Sequence, residues 1–155
     1  MKFFLLTHER EICRKTNTGR LVLDTLGEDA VKIIWERKSP DEALLKAIEA
    51  GDIALLYPSS ESQLISKTCK YDNYIILDGT WQEAKKIYNK SPYLQLLPKV
   101  SMQTDQKSKY TLRRNQKEDG LCTAEIASEV LANLDHTDLA QTLDTKLMCL
   151  LSERL

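Results

Sequence analysis

Ten consecutive residues, Tyr74-Ile75-Ile76-Leu77-Asp78-Gly79-Thr80-Trp81-Gln82-Glu83, constrain this chain more than any others. An aromatic and three aliphatic residues run straight into Asp-Gly, the pattern of a buried parallel strand stopped by a turn. Thr80 and Glu83 stand three apart, as a capping box requires, so a helix is predicted to start at Trp81. Asp78 is thereby placed where a strand ends and a helix begins. In open α/β sheets that edge is where ligands bind. An Asp-Gly pair taken alone more often just closes a turn, because both residue types suit turn geometry.

Similar alternation extends along the chain. Lys2–Thr7 reads as a first strand, and Leu21, Val22 and Leu26 as one face of a short helix ending at Gly27. The segment from Ala30 to Trp35 is rich in β-formers and reads as a second strand. Ser39-Pro40-Asp41-Glu42 predicts a helix capped by Ser39 with Pro40 at its first position, running to Gly51. Ile53 to Tyr57 reads as a third strand stopped by Pro58, and Ser59 to Ser62 as the lead into a helix reaching about Cys69. After the strand at Tyr74, residues 94–102 are ambiguous and residues 103–120 are polar and basic. Thr123 is expected to cap a helix to about Leu134. A last helix from Thr137 sets Leu139, Leu143, Leu147 and Leu150 on one face. The expected fold is α/β, a mostly parallel sheet with helices on both faces.

The chain's 155 residues, 42% of them hydrophobic, are enough to bury the core of one domain without staples. No apolar run is long enough to span a membrane, and the start lacks a signal peptide's features, so a cytoplasmic protein is expected. The four cysteines are too widely spaced for a zinc or redox motif, and only two histidines exist, so no metal site is expected. Free, mostly buried thiols follow. Glycine-rich dinucleotide, phosphate-loop and nucleophile-elbow motifs are all absent. The net charge of −1 is unevenly spread. Residues 81–118 carry nine basic groups against three acidic, and residues 119–155 two against seven. A basic middle and an acidic tail fit a surface facing a polyanion, and equally a solvated charged face.

Several blocks in order carry a resemblance: His8-x-x-Glu11 with Thr16-Asn17-Thr18-Gly19-Arg20-Leu21, then Leu56-Tyr57-Pro58-Ser59, then Asp78-Gly79-Thr80-Trp81 continued by Ala84-Lys85-Lys86, then Tyr110-x-x-Arg113-Arg114 and Leu121-Cys122-Thr123-Ala124-Glu125. Together they resemble the DTW-domain family, named for Asp-x-Thr-Trp. The resemblance implies a transferase that moves the 3-amino-3-carboxypropyl group of S-adenosylmethionine, its substrate, to N3 of a uridine in tRNA. It also implies a SPOUT-like fold whose C-terminal part is knotted. Many family members carry zinc-binding cysteine clusters ahead of the domain. Here strand one comes first, so residues 1–155 are expected to be a single domain without that extension.

Within that resemblance Asp78 is the candidate catalytic residue, since a carboxylate in reach of uridine N3 can take or share its proton. Leu56, Tyr57, Pro58, Leu77, Gly79, Thr80 and Thr123 are candidate contacts for S-adenosylmethionine by carry-over. Lys107, Lys109, Tyr110, Arg113 and Arg114 combine cations with an aromatic, which suits RNA phosphates and bases. An arginine of that block would equally suit the donor's carboxylate. Trp81 and Tyr57 flank the ligand edges, where stacking on a base and ordinary core packing both fit. A methyltransferase of related fold and a non-catalytic RNA-binding module are the alternatives.

Overall fold

The computed structural model describes residues 1–12, 14, 17–58, 62–65, 70–101 and 122–154. Six parallel strands form one sheet in the order β2-β1-β5-β3-β6-β4. They are β1 (Lys2–Thr7), β2 (Ala30–Ile34), β3 (Ile53–Leu56), β4 (Gln63–Leu64), β5 (Asn73–Asp78) and β6 (Lys99–Ser101). The helices are α1 (Gly19–Leu26), α2 (Glu42–Ala50), α3 (Trp81–Asn89), α4 (Pro92–Gln95), α5 (Thr123–Asn133) and α6 (Thr137–Arg154). None is long and apolar enough to cross a membrane.

Near-continuous apolar strands are what a sheet covered on both faces demands. Successive side chains point to opposite faces, and each central strand feeds both layers. Phe3, Leu5, Ala54, Leu56, Tyr74 and Ile76 pack with α1, α5 and α6. Phe4, Leu6, Ile53, Leu55, Ile75 and Leu77 pack with α2, α3 and α4. Leu143, Leu147 and Leu150 of α6 are buried as their spacing predicts, with Leu139 packed at the margin.

Three expectations are corrected. Helix α2 starts at Glu42 with Asp41 as its cap, not Ser39, and Pro40 lies outside the helix. The Asp41 carboxylate accepts the Leu44 N–H at 3.0 Å, and a charged acceptor at a helix start outcompetes a hydroxyl. Where a helix reaching about Cys69 was expected, Gln63–Leu64 form strand β4, residues 59–61 and 66–69 lying outside the described ones. Pairing with β6, extended by Ile65 N–H donating to Ser101 O at 2.9 Å, overrides the local pattern. Thr123 is the first residue of α5, and Cys122 occupies the cap position. The ambiguous residues 94–102 hold the end of α4 and β6. The path that a knot would need runs through residues 102–121, outside the described ones. Of the described cysteines, Cys122 is buried, its thiol pushed up to about 12 by burial, while Cys149 is exposed.

Candidate active site

Strands β1 and β5 lie side by side and end together, Thr7 opposite Asp78. Beyond Thr7 the backbone stays attached to β5, the His8 N–H donating to Asp78 O at 3.0 Å. The chain then makes a 3-10 turn at Glu9–Glu11 and returns over the strand ends to start α1 at Gly19. That return carries Glu11, Arg14, Asn17 and Thr18 onto the edge where β5 turns into α3.

Asp78 is 1% exposed. Its Oδ1 accepts from Thr123 Oγ1 at 2.8 Å, and its Oδ2 from Thr7 Oγ1 at 3.2 Å. Asn17 Nδ2 lies 3.0 Å from both oxygens and donates to Glu11 Oε1 at the same distance. Burial raises the Asp78 carboxyl above its usual range. The Asn17 and Thr123 donors pull it back, the Glu11 charge adds to the rise, and Thr7 opposes it. Gly19 closes the cage: a Cβ there would come within 2.6 Å of Asp78 Oδ2. Thr18 secures the far wall, its Oγ1 accepting the Ala124 N–H of α5 at 3.1 Å.

A second network abuts the first. The Arg14 guanidinium donates to Glu83 at 2.6 and 2.8 Å and also to Glu11 Oε2. Glu83 accepts the Thr80 N–H at 3.0 Å while Thr80 Oγ1 accepts the Glu83 N–H at 3.2 Å, the capping box of α3. Burial works to raise the Glu83 carboxyl, but the Arg14 hydrogen bonds, the Thr80 N–H and the charges of Arg14 and His8 hold it at about 2. The bonds to Glu83 raise the Arg14 guanidinium in turn. His8 Nδ1 lies 3.8 Å from Glu83 Oε2. Over this network opens a cleft of about 220 Å³, walled by His8, Arg14, Thr80 and Glu83 and rimmed by Arg10, Gln82 and Lys86.

A buried carboxylate is thus caged at the strand ends, next to an Asp-x-Thr-Trp helix start. The DTW domain family matches the chain over residues 1–155. The chain belongs to the DTW-domain family. Among curated DTW relatives, the Drosophila melanogaster protein named tRNA-uridine aminocarboxypropyltransferase 2 is 33% identical over 147 residues, 90% of this chain and 59% of that protein. The Mus musculus protein of the same name is 29% identical over 146 residues, 89% of this chain and 49% of that one. The chain thus spans about half the length of the curated relatives it matches. No solved structure matches this DTW domain.

Sequence reasoning named Asp78, Leu56, Tyr57, Pro58, Leu77, Gly79, Thr80 and Thr123, and the fold gathers them at one edge. Leu56 and Leu77 stand at or next to the ends of adjacent strands β3 and β5 with buried side chains, while Pro58 is exposed. The Tyr57 N–H already donates to Val100 O, and its carbonyl accepts from Ser62 Oγ at 2.5 Å. The Tyr57 ring lies between Trp81 and Tyr88, at 5.7 and 4.2 Å between centroids. Thr80 is engaged in the capping box and Thr123 in the Asp78 cage. Lys107, Lys109, Tyr110, Arg113 and Arg114 lie outside the described residues. No trio of His, Cys, Asp or Glu among the described residues is arranged to hold a metal ion.

Five residues of the site had no role assigned from sequence: Thr7, Arg14, Asn17, Thr18 and Gly19. Thr7 was legible only as a strand residue, and Arg14 only as part of a polar run. Asn17, Thr18 and Gly19 belonged to a recognised block, yet nothing local says that Asn17 and Gly19 meet Asp78, or that Thr18 meets Ala124, 106 positions along. Glu83 was visible as a helix cap, and its ion pair with Arg14 was not.

Proposed function

We propose that this DTW domain transfers the 3-amino-3-carboxypropyl group of S-adenosylmethionine to N3 of a uridine in tRNA. The observation that carries the reading is the Asp78 cage, set at the end of β5 within a chain that matches the family throughout. The names of the relatives support the reaction class. What supports a donor site is that the ends of β3 and β5, the ring of Tyr57 and Gly79, where a Cβ would sit 3.0 Å from Glu83 Oε1, lie at one edge of the sheet. Leu56, Tyr57, Pro58, Leu77, Gly79, Thr80 and Thr123 would hold it there.

S-adenosylmethionine supplies an electrophilic carbon: a bond from uridine N3 to that carbon forms as the carbon–sulfur bond breaks, and methylthioadenosine leaves. Uridine N3 must lose its proton for that attack. Asp78 is the group we assign to receive it, its proton affinity raised by burial. Both carboxylate oxygens are already occupied, so N3 reaches Asp78 only by displacing Thr7, Asn17 or Thr123. The protein's other task is orientation, which the rigid strand ends provide.

A second reading has Asp78 as a positioning residue that ties β1, α1 and α5 together and touches no substrate. Its 1% exposure favours this reading.

Incubating the protein with S-adenosylmethionine and bulk tRNA, then identifying the nucleoside and the donor remnant by mass spectrometry, tests the reaction. Aminocarboxypropyl-uridine with methylthioadenosine is expected. Methylated nucleoside with S-adenosylhomocysteine would replace the proposal by a methyltransferase, and no product with retained tRNA binding would leave a binding module. Asp78→Asn then separates the two roles. As the proton acceptor, its loss lowers kcat by ~10²-fold or more and removes the acidic limb of the pH–rate profile, with donor affinity near wild type. As a positioning residue, its loss lowers Tm and donor affinity while the folded fraction turns over with an unchanged pH profile.

A further inference from the structure

The described surface carries one concentration of charge that neither buried network uses. From Ala84 to Ser101 the chain has four lysines, Lys85, Lys86, Lys90 and Lys99, and no acidic residue. The one acid of α3, Glu83, is buried and bonded to Arg14. The helix therefore presents only cations and neutral residues to solvent, with Gln82, Lys85, Lys86, Asn89 and Lys90 all exposed. Lys86 and Lys90 stand four apart on one face, ~6 Å along the axis. At the helix head Lys86 shares the 220 Å³ cleft with Arg10, which is exposed. Among the described residues, Arg10, Lys86 and Lys90 have no carboxylate within ion-pair distance, whereas the charge of Arg14 is consumed by Glu11 and Glu83.

Aromatic surface lies on the other flank of α3, with its own two lysines. Lys85 Nζ stands 6.0 Å from the Trp81 ring centroid and Lys99 Nζ 5.5 Å from that of Tyr88, the two half-buried ends of the ladder through Tyr57. The opposite layer has the opposite sign: α5 and α6 carry Glu129, Asp138 and Asp144 outside the core against Lys146. Helix α2, in the same layer as α3, carries Glu42 and Glu49 against Lys46.

We infer that the outer face of α3, from Arg10 and Lys86 at the cleft to Lys90, is a docking surface for the phosphate backbone of RNA, distinct from the basic segment at residues 103–120. The inference rests on the reading of the protein as acting on RNA. Unpaired cations on a rigid helix attract a polyanion by counterion release. Half-exposed aromatics flanked by lysines match RNA, where phosphates and unstacked bases alternate, better than they match an acidic protein. The cleft takes in His8 and Thr80, which follow the ends of β1 and β5, so a strand held along α3 lies near the strand-end edge.

The test is the triple variant Arg10→Ala, Lys86→Ala, Lys90→Ala, titrated with bulk tRNA over a salt series, with Tm and the S-adenosylmethionine-induced Tm shift as controls. Affinity at low salt is expected to fall ~10-fold or more. The slope of log K against log salt should drop by roughly 2–3, one lost counterion contact per cation. Both controls should match wild type, and Lys86→Arg with Lys90→Arg should restore the slope. Wild-type affinity and slope in the triple variant would overturn the surface while leaving the RNA reading intact, the lysines then facing solvent or an acidic protein. Failure of the wild-type protein itself to bind tRNA, with or without the donor, would overturn that reading and this inference together.

Discussion

Gly19 shows how little room the site leaves. It is the first residue of α1, in helical backbone, and the constraint on it is space: Asp78 Oδ2 stands where its Cβ would be. Gly19→Ala is expected to destabilise the protein by about 1–3 kcal/mol through this overpacking. A lowered urea midpoint at unchanged m would report it. The cost should shrink in an Asp78→Ala background, because the two residues share one space; an equal cost in both backgrounds would place the strain elsewhere. Thr123 makes the converse point. Read locally, it was a helix cap, yet Cys122 takes that position and the Thr123 hydroxyl turns to Asp78.

Helix α3 concentrates three jobs on Glu83: it closes the cap, pairs with Arg14 and walls the cleft. Its carboxyl stands at about 2 in the folded protein against an ordinary 4.5. A depressed carboxyl contributes stability that is complete above the unfolded value and lost as pH falls from 4.5 toward 2. Asp78 has the opposite sign: its raised carboxyl favours the folded state as pH falls. Glu83→Gln is therefore expected to cost about 2 kcal/mol at neutral pH, with the gap to wild type closing below about pH 4.5. Urea midpoints across that range check it, and a pH-independent gap would assign the loss to the cap alone. At this scale the chain was largely readable. The strands at Lys2 and Tyr74, the Thr80–Glu83 box and the leucine face of α6 are encoded by neighbours in sequence. Strand β4 was not, because its two residues are held extended by pairing with β6, from across the chain. The Asp78 cage was hidden for the same reason, its donors lying 45 to 71 positions away.

Across the whole molecule, the sheet order β2-β1-β5-β3-β6-β4 puts β5 and β3 at adjacent inner positions, and their shared end is the proposed donor site. Binding there stabilises the folded state by mass action. S-adenosylmethionine at a hundredfold its Kd is expected to add about 2.7 kcal/mol and raise Tm by about 5–10 °C for a chain of this size. No shift at millimolar donor, with and without tRNA, would count against the site. The cage also has a history in time. Thr7 and Thr123 grip opposite oxygens of one carboxylate from 116 residues apart. A ribosome adding ~5–20 residues per second needs roughly 6–23 s to make the second after the first. Until then the ends of β1 and β5 have no partner from α5, and the polypeptide emerging during synthesis carries an Asp78 with one of its clasps missing. The site is closed by α5, the latest in sequence of the elements that grip Asp78, so any activity begins only once α5 has been made.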